Sequence, residues 1–69
     1  MVDVPKLKSI FVLNEKTYKD VANLLNMSEK TFSLRMKNGV FGSDEIETMI
    51  DYFNIEDPMS VFFKKKVTS

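Results

Sequence analysis

The sequence predicts an all-α domain of four to five short helices around a central helix-turn-helix. Apolar residues recur at i, i+3, i+4 spacing in successive stretches, the period of helices that bury one face. Residues suited to helix caps (Thr17, Ser28, Ser43) stand just ahead of these stretches. Within residues 17–39 (TYKDVANLLNMSEKTFSLRMKNG) two such stretches lie either side of a three-residue turn.

The first helix is expected to start near Pro5, a favourable first-turn residue after Asp3 or Val4. Leu7, Ile10, Phe11 and Asn14 mark its inner face, and Asn14-Glu15-Lys16 makes a turn. Thr17 caps the second helix, with Asp20 three residues on completing a capping box. Val21, Ala22, Leu24 and Leu25 supply that helix's apolar side, and it runs to about Leu25. Asn26 tolerates the left-handed backbone that the following turn requires.

Ser28 caps a third helix spanning Glu29 to about Lys37, with Phe32 and Met36 facing inward four residues apart. Asn38-Gly39 ends it. A hairpin at this Asn-Gly is rejected, because the flanks keep helical rather than alternating periodicity. Ser43 is expected to cap the fourth helix, with Asp44 and Glu45 at the positive end of its dipole. Ile46, Met49, Ile50 and Phe53 give it a buried stripe. Asp57-Pro58 opens a fifth helical turn, with Val61 and Phe62 or Phe63 facing in. Phe41, in a loop between two glycines, is the exception among the core phenylalanines and is expected to pack across a dimer interface. Residues 1–63 thus form one domain and residues 64–69 a short basic tail, either a phosphate-binding arm or a soluble end.

Composition limits the functions open to such a chain. Its 69 residues make one domain, and a domain of this size buries only about 60% of the surface its unfolded chain exposes. With neither cysteine nor histidine, it lacks disulfides, the usual zinc ligands, the commonest general base and the strongest neutral-pH nucleophile. No glycine-rich phosphate loop or metal-ligand cluster is visible. The expectation is a non-enzyme without cofactor or metal. No apolar run is long enough to span a membrane, and no signal-peptide pattern is visible, so an intracellular protein is expected.

Net charge is zero and the pI about 6.2, but the charges are segregated. Residues 1–37 carry seven bases against four acids, net +3. Residues 38–63 carry six acids and no base, net −6, and Lys64, Lys65 and Lys66 restore +3. The positive half is the one that holds the helix-turn-helix, the side that phosphates would favour.

A helix-turn-helix of this kind lays its second helix in the DNA major groove. With Phe32 and Met36 inward, Ser28, Glu29, Lys30, Ser33 and Leu34 are the expected base-reading residues. Lys30 suits guanine O6 or N7, Ser33 either partner, Leu34 a thymine methyl and Glu29 cytosine N4. Thr17, Tyr18, Lys19, Arg35 and Lys37 are assigned to phosphates.

The same stretch resembles the helix-turn-helix of Xre/Cro-type regulators of phages and bacteria. Ser28-Glu29-Lys30-Thr31-Phe32 and Pro58-Met59-Ser60-Val61-Phe62-Phe63 are similar to a set of short phage Cro-like proteins with S-E-K-T-F in the third helix and a Pro-x-x-Ile/Val-Phe-Phe ending. The resemblance covers roughly residues 6–63. Ala22 stands at the family's small position, Val21, Leu25 and Phe32 at core positions, Met27 at the turn hydrophobe, and Asn26 where many members have glycine. Tyr18 replaces a glutamine common in the family, and Arg35 a large apolar residue, which Met36 can supply one position later.

The resemblance implies a compact lambda-repressor/Cro-like domain. It also implies a repressor that binds a palindromic double-stranded DNA operator as a homodimer in the bacterial cytoplasm. The alternative is an antirepressor, in which the outward acids Asp44, Glu47 and Asp51 engage a basic regulator protein.

Overall fold

The computed structural model describes residues 2–63, which form five helices and no strand. The helices are α1 (Val4–Leu13), α2 (Tyr18–Leu24), α3 (Glu29–Asn38), α4 (Ser43–Phe53) and α5 (Pro58–Phe62). The expected all-α class and the central helix-turn-helix are both present. The expected tail, residues 64–69, lies outside the described residues.

Local chemistry sets the boundaries. The Asp3 carboxylate accepts the Lys6 N–H at 3.2 Å and starts α1. At its far end the Asn14 side-chain amide donates to the Ile10 carbonyl at 2.7 Å, and Glu15 turns the chain in left-handed backbone (φ 56°). The capping box of α2 is complete: Thr17 N–H donates to Asp20 Oδ2 at 2.9 Å, and Asp20 N–H donates to Thr17 Oγ1 at 3.2 Å. Asn26 takes the left-handed turn at φ 58°, while Met27 N–H reaches back to the Ala22 carbonyl at 3.0 Å. Ser28 Oγ accepts the Thr31 N–H at 3.1 Å and starts α3. Gly39 ends it at φ 67°, a conformation that costs glycine nothing sterically.

Helix α4 corrects one expected cap. Gly42, not Ser43, holds the N-cap position, and Ser43 is already helical. Glycine has no side chain to accept a bond, so the stabilising contact runs the other way: Gly42 N–H donates to Glu45 Oε1 at 2.8 Å. Asn54 closes α4 in left-handed backbone (φ 51°), and Asp57 caps α5.

The core is a chain of aromatic rings drawn from four helices and a loop. Phe11 lies 5.9 Å from Phe32 and 5.4 Å from Phe53, centroid to centroid. Tyr18 meets Phe32 edge-on at 5.2 Å, and Phe41 lies 5.8 Å from Phe32. Leu7, Val21, Ala22, Met36, Met49, Val61 and Phe62 fill the space around them. Phe41 is therefore a core residue of its own chain and does not wait for a dimer partner. Ile46 and Ile50 are only half-buried, because α4 points Met49 and Phe53 at the centre and leaves the two isoleucines at the rim. Phe62 of α5 is inside, and Phe63 just after it is 50% exposed.

An N-terminal strap completes the domain. Val2 is buried, its N–H donates to the Gly39 carbonyl at 3.2 Å, and Asp3 N–H donates to the Val61 carbonyl at 2.7 Å. Three segments remote in sequence are thereby tied at one place.

Phe32→Ala is expected to cost about 3–5 kcal/mol, a large share of a small domain's stability. Phe63→Ala, by contrast, should stay within about 1 kcal/mol of wild type. Urea denaturation checks both, and a Phe32→Ala midpoint close to wild type would refute the core described here.

The capping box makes a second expectation. The Thr17 backbone N–H foremost, then its hydroxyl, hold the Asp20 carboxyl below the ordinary aspartate range. A depressed folded-state pKa contributes stability above the unfolded value, and that stability is lost as pH falls through the folded one. Asp20→Asn should melt below wild type at about pH 6, with the gap closing below about pH 4. Melting curves across this range test it; a constant gap would show that the carboxylate's charge is not what matters.

Candidate nucleic-acid interface

Helix α3 is anchored on one side and open on the other. Phe32 and Met36, one turn apart, are buried beneath it. Ser28, Glu29, Lys30, Ser33, Leu34 and Lys37 are all exposed, so every expected base-reading residue lies on the solvent side. Leu34 is 52% exposed, an apolar group held in water next to polar neighbours. Ser28 is partly committed: its hydroxyl donates to Thr31 Oγ1 at 2.9 Å while accepting the Thr31 N–H. It keeps one lone pair for any further partner.

The expected phosphate residues divide into four kinds. Lys19 and Lys37 are exposed and take no part in the ion pair or cation–π contact described among residues 2–63. Thr17 is exposed but spent on its own helix, since its hydroxyl donates to Asp20 Oδ2 at 3.0 Å and accepts the Asp20 N–H. The Asp20 carboxylate also places a negative charge at the start of α2, where a phosphate would otherwise meet amide N–H groups. Tyr18 is half-buried, its ring set edge-on against Phe11 and Phe32 at 6.4 and 5.2 Å, so its first role is packing.

Arg35 differs from the expectation of a side chain turned freely outward. Its Nη1 donates to Glu45 Oε1 at 3.0 Å, across the loop that joins α3 to α4. The α4 N-terminus packs close enough to α3 for Glu45 to reach it, a proximity that helical periodicity does not encode.

One basic residue was missed by sequence reasoning. Lys8 of α1 shares a groove of about 360 Å³ with Val4, Tyr18, Ser33, Met36 and Lys37. Two lysines, a serine and a tyrosine thus border one open cleft between α1, the start of α2, and α3. The available signal was that Lys8 stands one turn after Val4, on the same face of α1.

Three further acids stand on α4. Asp44, Glu47 and Asp51 are exposed along α4, at the i, i+3, i+7 spacing of one stripe. Lys16, though basic, stands 5.8 Å over the Tyr52 ring rather than in the α1–α3 groove. No helix among the described residues is long and apolar enough to cross a membrane.

The packing at Tyr18 can be separated from its hydroxyl. Tyr18→Phe should melt within a few degrees of wild type, whereas Tyr18→Ala should lose about 2 kcal/mol or more through the two edge-on ring contacts. Thermal melts of the pair decide this, and equal losses would show that the hydroxyl, not the ring, carries the contribution.

Comparison with known proteins returns no match to a family model, a curated protein or a solved structure.

Proposed function

We propose that this protein is a sequence-specific DNA-binding regulator of the Cro-like kind, acting as a dimer on a palindromic operator. The observation that carries this reading is α3 itself. Buried Phe32 and Met36 hold it, and Lys30, Ser33, Leu34 and Lys37 stand exposed along its outer side. That is the arrangement a helix needs to enter a major groove with its early residues at base edges. The Lys8–Lys37 groove beside it suits the flanking phosphates. Two copies related by a two-fold axis would set their α3 helices about 34 Å apart, one turn of DNA.

The exposed acidic stripe Asp44, Glu47 and Asp51 favours a second reading, an antirepressor that covers the basic face of another regulator. The two readings differ on salt dependence and on charge reversal.

The direct test is titration with DNA flanking the protein's own gene, at several salt concentrations. Lys30→Ala and Ser33→Ala should each weaken the specific site more than random duplex, by about 1–3 kcal/mol per lost base contact. Lys8→Ala and Lys37→Ala should weaken all sequences alike and lower the salt slope by about one unit each. Equal losses on specific and random DNA for Lys30→Ala would remove it from the base-reading set. Reversing Glu47 and Asp51 to lysine should leave operator binding intact or stronger. A regulator from the host captured by wild type but not by this double variant, with no DNA bound by either, would establish the antirepressor instead.

A further inference from the structure

We propose that Arg35 serves DNA recognition as a positioning residue, fixing the roll of α3 through Glu45, and that it does not bind phosphate. The proposal rests on the reading of α3 as the DNA-reading helix.

Both ends of Arg35 are tied to the segment that leads into α4. Its backbone carbonyl accepts the Gly39 N–H at 2.8 Å and the Val40 N–H at 3.3 Å. Its guanidinium donates to Glu45 Oε1 at 3.0 Å, and that same oxygen accepts the Gly42 N–H at 2.8 Å. One carboxylate oxygen therefore joins the α3 side chain, the loop backbone and the first turn of α4. A Cβ at Gly42 would press only on the exposed Asp44 carboxylate, at 3.0 Å, and would meet Glu45 Oε1 at an ordinary contact distance of 3.5 Å.

The apolar anchors of α3 cannot do this work alone. Phe32 and Met36 lie on one stripe and set which side of α3 turns inward, but apolar burial is non-directional and tolerates small rolls about that stripe. Arg35 projects about 60° around the helix from Phe32, given 3.6 residues per turn. A charge-assisted hydrogen bond at that second angle is directional. Base reading needs side chains placed to within about 0.5 Å, which a helix free to roll does not provide.

The burial pattern argues against a phosphate role. The Glu45 side chain is 16% exposed and that of Arg35 40%. Moving the guanidinium to a phosphate would leave a largely covered carboxylate without its counter-charge, which is costly. While paired, Glu45 also neutralises Arg35 and repels an approaching phosphate, so the residue releases few counterions.

Charge-matched reversals on α4 provide the test. The full chain carrying Glu45→Lys or Glu47→Lys is titrated against DNA flanking its gene and against a random duplex, below the melting temperature of each variant. Both substitutions add the same positive charge, but only the first places it against Arg35. Glu47→Lys should keep or tighten binding to both duplexes. Glu45→Lys should tighten the random duplex yet weaken the specific site by about tenfold. Arg35→Gln, the milder variant, should also weaken the specific site by about tenfold with the wild-type salt slope retained. Its combination with Glu45→Gln should fall no further than the larger single loss.

A salt slope lowered by about one unit in Arg35→Gln would make Arg35 a phosphate ligand and overturn the proposal. Tighter binding of both duplexes by Glu45→Lys, or additive losses in the double variant, would overturn it equally. If wild type binds neither duplex at low salt, the DNA reading itself fails, a result distinct from any change confined to residues 35 and 45.

Discussion

Phe32 joins the helix-turn-helix to the rest of the domain. Its ring is fully buried and meets Phe11 of α1, Tyr18 of α2 and Phe41 of the loop after α3, with centroids between 5.2 and 5.9 Å away. Phe11 passes the contact on to Phe53 of α4. In so small a chain no second core can compensate for a fault in this one. The outer face of α3 can be rich in charge and hydroxyls only because its inner face is held so firmly. Tyr18 belongs to this arrangement as much as to the surface: its ring braces Phe32 while its edge borders the groove that holds Lys8 and Lys37.

Electrostatics acts on top of that packing. Among the described residues no charged side chain is buried, and no buried side-chain nitrogen or oxygen lacks a hydrogen-bond partner. The charges thus do little to hold the core together and more to orient its parts. Asp20 closes the start of α2, Glu45 closes the start of α4, and Glu45 at the same time restrains Arg35. The first two are local bonds three residues long, but the third spans ten residues and two helices. A zero net charge therefore conceals a division of labour: some charges are spent on the fold, and others, such as Lys30 and Lys37, are left on the surface of α3.

The strap at residues 2–3 adds a constraint of another kind. By bonding Gly39 and Val61, it ties the end of α3 to α5 through the backbone alone. The left-handed Gly39 that ends α3 thus also carries the carbonyl that receives Val2. Side-chain substitution at residue 2 would alter packing there but leave those two donors in place.

The helices and most of their ends are legible in the chain's local chemistry, because they rest on contacts within a few residues. The Thr17–Asp20 box, the Ser28 cap, the left-handed Asn26 and the Phe32–Met36 inner face all follow from spacing and side-chain chemistry. The outward set on α3 follows too, since a helix with one side buried must show the other. The N-cap of α4 was off by one, because glycine offers no cap side chain to read and Glu45 answers it from inside the helix. Helix packing settles the remainder: Phe41 belongs to the core, Ile46 and Ile50 sit at its rim, Lys8 shares a groove with Lys37, and Arg35 is held by Glu45. Each depends on how helices pack against one another. Periodicity specifies which face of a helix turns inward, but not which neighbour that face meets or how far a long side chain reaches past it.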